Sequence, residues 1–177
     1  MLIQAYTKEW IADFETIKEI LLSALAELDI SIEHIGSTSV HRLAAKPIID
    51  IDIIYRSSDQ LIEITSRLAD VGYYHNGNQG IPGREVFKRM AAANDHKVLD
   101  AIQHHLYACP MSSDELQRHL LFRDYLRTHT SARAAYQQLK YQIAEIAHQD
   151  RKVYAQLKEK MAKEFIHSII QKAKEDL

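Results

Sequence analysis

The chain has 177 residues, and 22 lysines and arginines stand against 24 aspartates and glutamates, for a formal charge of −2 at neutral pH. This length suits one domain with its own core, and a charge so near zero gives no bulk attraction for nucleic acid or an anionic membrane surface. No run approaches the ~18 apolar residues of a membrane span, the opening Met1-Leu2-Ile3-Gln4-Ala5 lacks the form of a signal peptide, and the single Cys109 excludes an internal disulfide or a multi-cysteine zinc site, so a soluble, cytoplasmic chain is expected.

Trp10, Phe14, Ile17, Leu21, Leu25 and Leu28 recur at steps of three and four, which predicts a helix of about 20 residues with Thr7 as its N-cap. Residues 32–35 then read as a short strand ending at Gly36. The run 47–55 is β-branched, apolar and opened by Pro47, and predicts the principal strand. Ser58 is expected to cap a helix carrying Leu61, Ile64, Leu68 and Val71, which Gly72 stops. Residues 73–75, 84–90 and 98–109 read as further strands. The last two form an expected antiparallel hairpin across a turn at 94–97.

The tail has helical periodicity throughout. Ser112 and Glu115 have the spacing of a capping box before Leu116 and Leu120. A second tail helix after Thr130 carries Tyr136, Leu139, Ile143 and Ile146, and a third carries Tyr154, Leu157, Met161, Phe165 and Ile169. All five glycines and three prolines lie between residues 36 and 110. The expectation is a single α/β (α+β) domain over 1–177: a mixed-sheet core over about 1–110 with an N-terminal helix, and a helical tail over about 111–177 packed on it.

Two features carry chemistry. Asp50 and Asp52 interrupt an otherwise apolar strand, and alternation puts both on one face, roughly 6–7 Å apart along the chain. They are either a solvated sheet face or a divalent-metal site, since a hard cation removes the repulsion between close carboxylates. Fourteen residues earlier, Gly36-Ser37-Thr38-Ser39 follows a strand. Glycine admits close backbone approach, and the following N–H and hydroxyl groups suit an anion. Phosphate donors beside paired acids form a triphosphate–magnesium constellation. Lys46, Lys88, Arg123 and Arg127 are either cations for phosphate or structural charges, and His34, His105 and Tyr107 lie on strands near the same place.

The blocks Glu33-His34-Ile35-Gly36-Ser37-Thr38-Ser39-Val40, Leu43-Ala44-Ala45-Lys46-Pro47-Ile48-Ile49-Asp50-Ile51-Asp52 and Phe122-Arg123-Asp124-Tyr125-Leu126-Arg127, with the late Tyr136 and Lys140, resemble the GrpB family of the nucleotidyltransferase superfamily, nearly end to end. The resemblance implies that Gly36 and Ser37, with Thr38, Ser39 and Lys46, grip a nucleoside triphosphate. It implies that Asp50 and Asp52 are catalytic and hold magnesium, or manganese in its place, for transfer of a nucleotidyl group to a small-molecule or protein acceptor. A third carboxylate on a later strand belongs to this pattern, with Glu85, Asp95 and Asp100 as candidates by position. Two departures stand out: His41-Arg42 where the family has Pro-Gly, and Tyr107 where it has His. Relatives are fused to dephospho-CoA kinase, which implies a second reading, a catalytically silent accessory module with a protein partner. A third is a metal hydrolase using His104 or His105 with the two acids.

Overall fold

The structure, a computed structural model, describes residues 1–90 and 96–176. Helix α1 (Glu9–Ala24) buries Trp10, Phe14, Ile17 and Leu21 on one stripe. It is shorter than expected, and Lys8 stands at its N-cap, although Thr7 still accepts a hydrogen bond from the Glu9 N–H at 3.3 Å. Strand β1 (Ser31–Ile35), a 3-10 turn over Ser37–Ser39 and strand β2 (Ile49–Tyr55) follow. Helix α2 (Ser58–Asp70) is capped by Ser57 rather than Ser58, because Gln60 three residues on completes a reciprocal capping box. The short β3 (Tyr73–His75) and β4 (Glu85–Arg89) come next.

The hairpin expected across 94–97 is corrected in part. Asn94 and Asp95 lie outside the described residues. His96 caps a short helix α3 (Lys97–Ala101), its ring accepting from the Leu99 N–H while Asp100 accepts from the His96 N–H. These local bonds claim residues that periodicity assigned to a strand, so β5 is confined to His104–Pro110. β4 and β5 are nonetheless antiparallel neighbours.

The sheet order is β1-β2-β5-β4-β3. β2 and β5 are parallel, with Asp50 opposite His105 and Asp52 opposite Tyr107, and the other pairings are antiparallel. One sheet face carries Ile49, Ile51, Ile53 and Leu106 and packs on α1 and α2 in the main core. The other face carries the two acids.

Over that second face lies the tail: α4 (Asp114–Thr128), α5 (Thr130–Ile146), α6 (Arg151–Met161) and α7 (Lys163–Glu175). Ser113, not Ser112, caps α4 by accepting from the Leu116 N–H. The expected third tail helix is two, divided at the fully buried Ala162; no residue in the sequence marks this break. The tail has its own core of Leu126, Tyr136, Ile143, Tyr154 and Ala162, which reaches back to Ile3, Val40 and Leu43.

Polar bonds fix the tail to the sheet. Arg123 of α4 is 8% exposed and donates to Glu33 at 2.6 Å and to the His34 carbonyl at 3.1 Å, both on β1. Arg123→Ala strands that buried carbonyl, and is expected to lower unfolding stability in urea by about 2 kcal/mol. Asp124→Ala, which removes a more exposed partner, should cost well under half as much.

Candidate functional site

The turn after β1 is built around one glycine. Gly36 has φ +71°, and a Cβ there would collide with Oδ2 of Asp50 while lying 3.0 Å from that residue's Cβ and Cγ. Only glycine lets the turn sit directly against the acid. The turn then uses two of its hydroxyls internally. Ser39 donates to the Gly36 carbonyl at 2.6 Å, and Thr38 donates to the Ile48 carbonyl at 3.2 Å. The His34 ring stacks on Phe14 and bonds Thr38 through Nε2 at 3.0 Å. Burial pulls its pKa down to about 4, so it is a neutral, structural imidazole at physiological pH. Ser37 is left beside the cavity.

The tail clamps the loop that follows. Arg127 donates twice to the Ser39 carbonyl, at 3.0 and 3.1 Å. Gln137 accepts from the Ala44 N–H at 2.8 Å, and the buried Lys140 amine donates to the Ala44 carbonyl. Burial holds the Lys140 pKa well below the usual lysine range. Of the two roles open to Arg123 and Arg127, phosphate cation or structural charge, these contacts are those of the second, and neither residue lines the cavity. The exposed Lys88, on β4, does not line it either.

The two acids part company. Asp50 lines the cavity, and its Oδ1 accepts from His105 Nδ1 at 2.8 Å. Asp52 is wholly buried. Its Oδ2 meets His119 Nδ1 of α4 at 2.7 Å, and Oδ1 faces the Cys109 thiol at 3.8 Å. Glu115, one turn before His119, pairs with its other nitrogen at 3.3 Å. Burial opposes a charge on His119, but the bonds to Asp52 and Glu115 outweigh it and hold the pKa up at about 9. Burial and the neighbouring Asp52 push the Cys109 thiol well up, so it stays protonated.

A third carboxylate is present, but not where the sequence suggested. Glu85 is bound to His75 at 2.6 Å and Asp100 to Arg89 at 2.8 Å, away from the acids, and Asp95 lies outside the described residues. Glu115 lines the cavity instead. The histidines His104 and His105 point apart. His104 bonds the Tyr73 hydroxyl at 2.6 Å and the Ile102 carbonyl, which removes it from any site shared with Asp50. Among the described residues no group of three or more His, Cys, Asp or Glu side chains converges to hold a metal. With Asp52 closed and bonded to His119, the donor set does not fit a two-carboxylate metal centre as arranged.

The cavity itself has a volume of about 410 Å³. One wall is Gly36, Ser37, Thr38 and Asp50, with His105 and Tyr107 beside them. The opposite wall is tail: Phe122, Tyr136, Lys140, Tyr154 and Lys158. Lys46 lies over the Tyr154 ring at 4.9 Å, and Arg84 over the Tyr107 ring at 4.6 Å. Counting Arg118, five lysine and arginine side chains face two carboxylates, Asp50 and Glu115. Sequence reasoning found Lys46, His105 and Tyr107 here. It missed Arg84, Glu115, Arg118, His119 and Lys158, although the three-residue and four-residue steps from Glu115 to Arg118 and His119 put these groups on one helix face.

The family described as GrpB protein matches residues 1–172. The chain belongs to the GrpB family. It is 37% identical over 139 residues to YqkA of Bacillus subtilis, a match covering 78% of this chain but only 38% of that protein, so this chain spans well under half of that relative's length. The glutamate-rich protein GrpB of Alkalihalophilus pseudofirmus is 28% identical over 170 residues, covering 96% and 95% of the two chains. The crystal structure of GrpB from Enterococcus faecalis superposes with a TM-score of 0.78 at 30% identity, over 97% of this chain and 96% of that one. A Cid1 poly(U) polymerase with MgGTP bound superposes with a TM-score of 0.57 at 13% identity, over 81% of this chain and 44% of that one. This last likeness shows that the chain shares the fold of that polymerase.

Two expected outcomes follow from the acids. Gly36→Ala should lose about 1–3 kcal/mol of stability in denaturant titration, because both the left-handed backbone and Asp50 must shift. His119 should make stability pH-dependent. Its folded pKa of about 9 lies above the ordinary 6.5, so its contribution is full below about pH 6.5 and declines as pH rises through 9. Urea titrations across that range should show the decline in wild type and not in His119→Gln.

Proposed function

We propose that the cavity binds a nucleoside triphosphate and supports transfer of its nucleotidyl group to an acceptor. The observation that carries this reading is the Gly36–Ser37 turn seated against Asp50 in one cavity with Lys46 and Lys158. A turn whose backbone approaches without a side chain, facing an excess of cations, matches a polyphosphate. The volume lies within the ~300–1,000 Å³ of small-molecule sites. The fold shared with a polymerase holding MgGTP supports the same ligand class.

In such a transfer an acceptor oxygen bonds to the α-phosphorus, the bond from that phosphorus to the bridging oxygen breaks, and pyrophosphate leaves with the electron pair. Asp50 is the carboxylate the cavity offers for the acceptor's proton. Lys46 and Lys158 offset charge on the leaving phosphates. Magnesium or manganese has no two-carboxylate seat here, so no step is assigned to it, and its part is decided by measurement. One observation favours a second reading, a module that binds nucleotide without turnover: Asp52 is sealed by a cationic imidazole.

Calorimetry with ATP, GTP, CTP and UTP, with and without Mg²⁺, tests the first reading. Wild type is expected to bind at least one of them, and Lys46→Gln to weaken that binding about tenfold, roughly the loss of one charge-assisted contact. Failure of wild type to bind any of the four overturns both readings. Binding with no pyrophosphate release in the presence of hydroxyl-bearing acceptors selects the second.

A further inference from the structure

We propose that Arg84 is the docking point for a second anionic group, a carboxylate or phosphate carried by the acceptor. The name acceptor rests on the nucleotidyl-transfer reading above; the anion site does not. Arg84 stands just before β4, half-buried, with its guanidinium over the Tyr107 ring at 4.6 Å. Its Nε is shut away from solvent and has no hydrogen-bond partner. The other arginines near the sheet and α4 are supplied: Arg89 by Asp100, Arg118 by Glu115, Arg123 by Glu33, and Arg127 by the Ser39 carbonyl. Stacking on Tyr107 fixes the plane of the Arg84 fork but accepts none of its N–H groups. The nearby carboxylates are committed elsewhere, Asp52 to His119 and Glu115 to His119 and Arg118. Arg84 also lines the cavity, and a planar oxyanion is the ligand whose geometry suits the fork of a fixed guanidinium presented there.

Sheet order places this group at the far end of the cavity from the turn. Gly36 follows β1 and Asp50 lies on β2, whereas Tyr107 lies on β5 and Arg84 precedes β4. The Asp50–His105 pair lies between the two ends. A nucleotide held at Gly36 and Ser37 thus leaves the Arg84 end open for another anion. An acceptor anchored there by its charge presents its remaining length toward Asp50.

Calorimetry with glycerol 3-phosphate, succinate and, as a neutral control, glycerol tests the site. Wild type is expected to bind one or both anions and not glycerol; the anion preferred tells phosphate from carboxylate. Arg84→Gln should weaken that binding at least tenfold and Arg84→Lys, which keeps charge but loses the fork, several-fold, while thermal melts and ATP affinity change little. ATP-saturated protein should still bind the anion. No anion binding by wild type, equal binding by Arg84→Gln, or displacement of the anion by ATP would overturn the proposal. Should Arg84→Gln not fold, the Arg84→Lys series and the ATP competition decide. If none of the four nucleotides binds while Arg84-dependent anion binding persists, the nucleotide reading falls and this one stands.

Discussion

A carboxylate sealed inside a sheet must have a cation, and for Asp52 that cation comes from α4 as His119. The cost of burying either charge alone makes the pair obligatory. The helical tail is therefore joined to the core through a buried ion pair. Once α4 is set by this pair, the remaining clamps fall into place. Arg123 reaches β1, Arg127 the end of the Gly36 turn, and α5 the loop at Ala44. The turn that offers Ser37 to the cavity is thus shaped from behind by helices distant in sequence.

This arrangement separates two roles that strand alternation alone assigns alike. Asp50 and Asp52 share a face of β2, but α4 covers one and the cavity uncovers the other. That leaves a single strand acid on the cavity and puts the second cavity carboxylate on a helix, as Glu115. The excess of lysine and arginine side chains on the cavity is the electrostatic counterpart.

Much of the fold was legible because period and punctuation agreed. The stripe from Trp10 to Leu21, the β-branched run of β2, the helix ended by Gly72 and the helical tail each had one dominant local signal. The errors arose where a local side-chain bond outcompeted periodicity. His96 and Asp100 wound residues 97–101 into helix, and Ser57 with Gln60 moved a cap by one residue. At the site, Gly36, Ser37, Lys46 and Asp50 were legible from residue type and order within one short stretch. Glu115, His119 and Arg84 were not, because their role comes from α4 crossing the sheet and from β4 pairing with β5, and neither is written in local sequence. Arg123 and Arg127 were visible as charges, but whether they met a ligand or a carbonyl was a tertiary matter.

The cavity takes residues from both ends of the described chain's working parts, from Ile35 to Ile170. The acids and the glycine turn precede α4 in the chain, whereas the wall that faces them, with Tyr154, Lys158, Ile166 and Ile170, follows α5. A chain lacking α6 and α7 would hold Asp50 against open water, without the wall that encloses the cavity. Enclosure is in this way a property of the folded whole: neither the sheet nor the helical tail alone has a cavity to offer.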